Sequence, residues 1–127
     1  MKIIRTILAV ASAPVVYGIL GAGLSSALLA IFPHLMNEQG GTYHLGVTLA
    51  VEAIQFLAVV LTGYISARIA GREEFLHCLA VVFVMLAIAI PTQVSFWQSM
   101  LPWHHFVFFM FCIIGPIWGT YLQQQRS

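Results

Sequence analysis

The sequence predicts an all-α protein, a four-transmembrane-helix bundle with antiparallel neighbours and with both the N and C termini cytoplasmic. Three observations lead there. The chain is 61% hydrophobic and 7% charged, against roughly 25% charged in an ordinary soluble domain, so five Lys and Arg plus four Asp and Glu cannot clothe a water-facing surface. The apolar residues gather into four long runs without the period-2 alternation of strands, and open strands in lipid leave backbone groups unpaired. The Lys and Arg residues fall only on alternate connections. All 127 residues are read as one transmembrane domain.

The first span is expected over Thr6 to Phe32. Its start, Met1-Lys2-Ile3-Ile4-Arg5 and then an apolar run through Ala11-Ser12-Ala13, imitates a secretory signal. Pro14 stands directly after the small-residue site, however, and the apolar run continues, so the segment reads as a membrane helix. The other spans are expected over His44 to Ala67, Phe75 to Phe96 and His104 to Leu122. At 1.5 Å per residue, about 20 apolar residues cross the roughly 30 Å of hydrocarbon. Connections remain at Pro33 to Tyr43, Arg68 to Glu74 and Trp97 to Trp103.

Lys2 and Arg5 precede the first span, Arg68 and Arg72 lie in the middle connection, and Arg126 follows the last span. The other two connections carry neither Lys nor Arg, so the positive-inside rule sets these five cations in the cytoplasm. Tyr43, Trp97 and Trp103 then fall at the outer interface and Tyr121 at the inner one, where amphipathic rings are favoured.

Helices in a bilayer associate by close packing of small residues. The first span has such a seam at Ala11, Pro14, Gly18, Gly21 and Ser25, and the fourth has Cys112 with a GxxxG pair at Gly115 and Gly119, Pro116 bending it locally. These two faces are expected to meet. Internal packing is favoured over dimerisation through the GxxxG pair, a motif frequent in spans that never dimerise.

The second span carries Thr48, Glu52, Gln55, Val59, Thr62 and Ser66 at spacings of four and three, all polar except Val59. They form one stripe along one face, and that face must avoid lipid. Glu52 lies about 6 Å outward of the span's midpoint by helix rise, where an ionised carboxyl is unfavourable without a partner. Ser25 or Thr92, at the same depth, is the expected hydrogen-bond partner. Two readings stay open: a neutral acid cross-linking helices, or a carboxyl that exchanges a proton or binds a cation.

Four histidines, His34, His44, His104 and His105, fall at the outer ends of spans and are weak metal or haem candidates. No pair has the i, i+4 spacing that puts two ligands on one helix face, and adjacent His104 and His105 point in different directions. Solvated interfacial positions are expected for them, and for His77 a place near Glu73 and Glu74. Cys78 and Cys112 lack CxxC spacing and are expected to be packing residues.

The run Gly63-Tyr64-Ile65-Ser66-Ala67-Arg68-Ile69-Ala70-Gly71-Arg72 has the pattern G-Y-x-x-A-R-x-A-G-R. It resembles the turn between the second and third spans of small, uncharacterised four-helix bacterial inner-membrane proteins. That resemblance implies a bacterial inner (plasma) membrane and adds no activity. Gly71 suits the end of the second helix, and Glu73 and Glu74 suit the first turn of the third. Small multidrug-resistance transporters have a similar size, but their essential acid lies in the first span, which here has none.

No Gly-rich phosphate loop, Ser/His/Asp set or paired carboxylates mark an enzyme, no cofactor is expected, and no basic stripe invites nucleic acid. The expected partners are the lipid bilayer and either a second copy of the chain or a larger membrane complex. Three functions follow, in order: a structural or interaction subunit or self-associating bundle, a small proton-coupled transporter or channel using Glu52, and a metal- or haem-binding redox protein using the outer histidines.

Overall fold

The computed structural model describes residues 2–37, 41–71, 74–95 and 97–125; Glu38, Arg72, Glu73 and Arg126 lie outside them. Four helices are long and apolar enough to cross a membrane: Ile3–Ile31, Leu45–Ala70, Phe75–Ser95 and Pro102–Gln125. The first is composite, made of α1 (Lys2–Val16), a π-helical turn (Tyr17–Ala22) and α2 (Gly23–Ile31). The others are α3 (Leu45–Ala70), α4 (Glu74–Ser95) and α5 (Pro102–Gln125). Ile19, Leu57, Phe83 and Val94 are exposed on the outward faces, apolar surface that suits acyl chains and not water.

Local chemistry sets the helix ends. His44 caps α3, its Nδ1 accepting from the Val47 N–H at 3.2 Å. Gly71 closes α3 in the left-handed conformation, φ 74°, which a residue without Cβ adopts freely, so α3 runs past Ala67 to Ala70. Arg5 Nε donates to the Ile69 carbonyl at 2.7 Å, placing a cation on an orphan acceptor at the negative end of α3. Pro102 opens α5, where its missing N–H does no harm, and draws His104 inside the first turn. In the first span, Pro14 removes one backbone donor and the i→i+5 turn follows three residues later.

Packing departs from the expected pairing. The broadest contact joins α3 to α5, while the first span packs on α3 and α4. A Cβ added at Gly119 would strike the Val60 carbonyl and the Tyr64 nitrogen, one at Gly115 would strike Val59, and one at Gly63 would strike the Pro116 backbone. The GxxxG face therefore meets the second span, not the first, because Gly63 offers it a matching backbone surface. Along this contact the residue numbers rise together, from Glu52 beside His104 to Tyr64 beside Gly119. The most intimate neighbours thus run the same way, an exception to antiparallel packing.

The first span's buried row also differs from the expected seam. Ala9, Ala13, Gly21 and Ser25 are buried, whereas Ala11 and Gly18 are exposed and nothing lies within 4 Å of a Cβ built on Gly18. The π turn lengthens one turn of the helix, so a heptad count through Tyr17–Ala22 drifts off the contact face. Gly21 is needed because the Tyr17 ring lies over it, 2.6 Å from where a Cβ would stand.

At the end of the bundle where α3 and α5 begin, Thr42 ties two connections together. Its hydroxyl donates to the Leu35 carbonyl at 2.8 Å, and it bridges to both Met36 and Met100. Tyr43 donates its hydroxyl proton to the Gln98 carbonyl nearby.

Substituting Gly119→Ala or Gly63→Ala is expected to destabilise the protein by about 2 kcal/mol or more, since overpacking against backbone cannot relax by a side-chain rotation. Gly18→Ala is expected to be neutral or slightly stabilising through helix propensity. Thermal unfolding in detergent checks both, and equal losses at Gly18 and Gly119 would refute the assignment of the contact face.

Candidate functional site

The α3 stripe supplies the site. Thr48, Glu52, Gln55, Val59, Thr62 and Ser66 are all buried, as periodicity on one face requires when that face meets other helices. Thr48 and Thr62 turn their hydroxyls back to the His44 and Ala58 carbonyls of the same helix, each at 2.8 Å. Those two are satisfied locally, and the polar members of the stripe left over are Glu52, Gln55 and Ser66.

Glu52 is 5% exposed and pairs through Oε1 with His104 Nδ1. Neither expected partner is used. Thr92 is exposed and donates to the Ile88 carbonyl of its own helix at 2.7 Å. Ser25 is buried, but its hydroxyl has no partner among the described residues. His104 was placed at the solvated boundary; with α5 starting at Pro102 and lying parallel to α3, it is 3% exposed and reaches Glu52 from the side.

His105, fully buried, turns the other way toward α4. Its Nε2–H donates to the Trp97 carbonyl at 3.0 Å, and its Nδ1 faces the side-chain amide of Gln93. The amide suits either state of the ring, its NH₂ donating to a neutral imidazole and its oxygen accepting from a charged one. Trp97 covers this group, stacked on His105 at 4.3 Å and 14° instead of sitting free in the interfacial belt. Adjacent residues on α5 therefore fill two interfaces at once, with their rings 5.3 Å apart.

The remaining histidines sit apart. His34 and His44 are exposed at the outer end, His34 against Phe32 and His44 in its capping role. His77 is buried at the other end and pairs through Nε2 with the Thr6 hydroxyl at 3.1 Å, beside a shallow cleft lined by Val10, Leu76 and Ala80. Among the described residues no three His, Cys, Asp or Glu side chains converge as metal ligands.

Below Glu52 and Gln55 the stripe meets an apolar layer. Val59 packs with Ala13, Met85, Phe108 and Cys112, all essentially buried. Tyr17 borders that layer, its ring 5.7 Å from Phe108 and its phenol within electrostatic reach of Glu52 and Cys112. The polar residues thus fall on two sides of this layer, with Glu52 and Gln55 toward the N-terminal end of α3 and Ser66 toward its C-terminal end, where Thr120 lies beside Cys78.

The pair has defined charge chemistry. One proton shared between Glu52 and His104 leaves the pair neutral, as acid with imidazole or as carboxylate with imidazolium; losing it leaves an anion and gaining a second leaves a cation. His104 lies in the first turn of α5, whose positive dipole end favours the negative charge on Glu52 over a positive charge on His104. No protein-family model, curated protein or solved structure matches this chain.

A double-mutant cycle of Glu52→Leu and His104→Leu measures the pair. Hydrogen bonds between membrane helices average about 0.6 kcal/mol and reach about 1.7, whereas stranding one member of a buried ion pair costs about 3 to 5 kcal/mol. A coupling energy of at least about 2 kcal/mol is expected from the ionic character of the pair. A value near zero in detergent unfolding would mean that the two side chains do not interact.

Proposed function

We propose that this chain is a multi-pass integral membrane protein that works as a small proton-coupled transporter or channel, with Glu52 and His104 as its proton carrier. One observation carries the reading: the acid within the apolar spans is buried against an imidazole, and both are groups that exchange protons in membrane proteins. A buried pair of this kind is a poor device for stability alone, because desolvation offsets most of its attraction. The His105 ring, 5.3 Å from that of His104, bonds the Trp97 carbonyl, so further polar groups lie beside the pair at the end of the bundle where α5 begins.

The membrane orientation belongs to the same proposal. Arg5 lies against the C-terminal end of α3, close to Arg68, and α5 ends on that side because it runs with α3. This supports both termini and the α3–α4 turn in the cytoplasm, and the sequence likeness of that turn favours a bacterial inner membrane. It also supports antiparallel running of successive spans, with α3 and α5 the parallel pair.

A structural or interaction subunit is the second reading, favoured by the backbone contact of α3 with α5. That contact occupies Gly115 and Gly119 inside one chain, so a partner or second copy would have to use another face.

In reconstituted vesicles, the wild-type protein is expected to dissipate an imposed pH gradient, and Glu52→Gln to slow this by about tenfold or more, the usual loss when a proton-transfer group is removed. Gradients that decay no faster than in protein-free vesicles would sink the carrier reading. Reporter fusions after Gln125 are expected to be active only in the cytoplasm.

A further inference from the structure

Three buried oxygen atoms within about one helical turn of one another in height have no hydrogen-bond partner among the described residues. They are Glu52 Oε2, Gln55 Oε1 and Ser25 Oγ, on residues 5%, 8% and 6% exposed. The register between the first span and α3 follows from Gly21, whose added Cβ would lie 3.3 Å from the Ala58 Cβ. Counting outward from that contact at the helix rise, Ser25 stands about 6 Å up, Gln55 about 4.5 Å and Glu52 about 9 Å, so Ser25 falls between the other two in height. Gln55 and Glu52 share one face of α3, being three residues apart.

A buried polar atom left without a hydrogen-bond partner is unfavourable by about 1–3 kcal/mol. Three together, one of them a carboxylate oxygen, make a donor set of hard oxygens with net negative charge. Such a set attracts a species that accepts lone pairs and brings positive charge, which among common ions means a small hard cation. His104 does not fill the role, because its Nδ1 is already directed at Oε1, the other carboxylate oxygen.

We propose that Ser25, Glu52 and Gln55 form a binding site for a monovalent cation of sodium size, and that sodium and the proton compete for the Glu52 carboxylate. This deepens the carrier reading above and rests on Glu52 being the exchanging group. The charge balances in both states. With the proton present, the Glu52–His104 pair is neutral; when the proton leaves, the Glu52 carboxylate and neutral His104 hold the cation, and the site is neutral again. The other titratable groups near Glu52 are His104, His105 and Cys112 from α5, Tyr17 from the π turn and His44 at the start of its own helix, and none brings a permanent charge. From α4 comes the uncharged amide of Gln93, which faces His105.

Ser25 and Gly21 sit on the first span, which carries both Pro14 and the π turn, so the ligand would bridge a composite helix to straight α3. Binding would add a second tie between those two helices, at the end opposite the Arg5–Ile69 hydrogen bond.

The test compares full-length protein in sodium chloride and in choline chloride, by melting temperature across a pH series. Sodium is expected to raise the melting temperature by about 5 °C at alkaline pH, the scale of a modest ligand effect on a chain of this size, and the shift is expected to fade as protons take the carboxylate. Ser25→Ala is expected to lose the sodium shift, and Gln55→Leu provides a second variant where the first fails to fold. Equal melting in the two salts, a shift retained in both variants, or a shift independent of pH would overturn the site. Vesicle proton flux in choline medium keeps the two readings apart: flux with no sodium shift rejects the cation site and leaves the carrier, while a pH-dependent sodium shift with no flux upholds the site and rejects transport.

Discussion

The close approach of α3 and α5 is the constraint on which the rest depends. Lipid tails are as apolar as leucine, so burial alone gives helices no reason to associate; contact area and backbone proximity must do it. Gly63, Gly115 and Gly119 remove the side chains that would hold these backbones apart. Because the two helices run the same way, their outer ends coincide, and His104 at the start of α5 comes level with Glu52, eight residues into α3. An antiparallel partner would have presented the polar Gln123 end of α5 there instead. The pairing of Glu52 with an imidazole is thus a consequence of helix direction, and the direction is one that two glycine surfaces make possible.

Much of this architecture was legible in the residues themselves. Lengths of apolar runs located the four spans, and Gly71 marked the end of α3 correctly because a left-handed cap is a local, sequence-encoded event. The α3 stripe was equally plain, since polar residues at heptad-like spacing have nowhere to go but inward. Less was recoverable where two helices had to be matched. Gly115 and Gly119 announced a contact but not its partner, and the choice of α3 over the first span rests on Gly63, a glycine that reads equally well as part of the turn. His104 and His105 were assigned to solvent because they stand near a span boundary. Pro102, at the position favoured for a helix start, was the available sign that both lie within the helix. Gly18 was misplaced for a different reason: a π turn has no reliable signature in composition, and one extra residue is enough to rotate a seam away.

Prolines fall inside three of the four spans, and α3 is the exception. Pro14, Pro91 and Pro116 interrupt the first span, α4 and α5, whereas α3 has none. A helix interior with proline loses a backbone bond and acquires a natural kink point. The stripe of polar residues is therefore carried on the straight helix, and the groups that close around it come from helices able to flex. Pro116 packs on Gly63 and Pro14 lies one turn from the π segment, so two of the three bends flank the layer containing Val59.

That placement bears on how the outer and inner polar groups communicate. Val59 is the single apolar member of the α3 stripe, and it is fully buried among Ala13, Met85, Phe108 and Cys112. On the carrier reading, a proton or cation leaving Glu52 toward the C-terminal end of α3 would have to pass this layer, where Val59 interrupts the polar stripe. Passing it requires Val59's neighbours to separate, and those neighbours ride on the proline-bearing helices. A packed core has discrete arrangements and does not deform continuously. On the carrier reading proposed above, exchange across the layer would be a switch between two packings, and the π turn beside Tyr17 is a segment whose return to regular α-helix would turn Gly21 and Ser25 relative to α3.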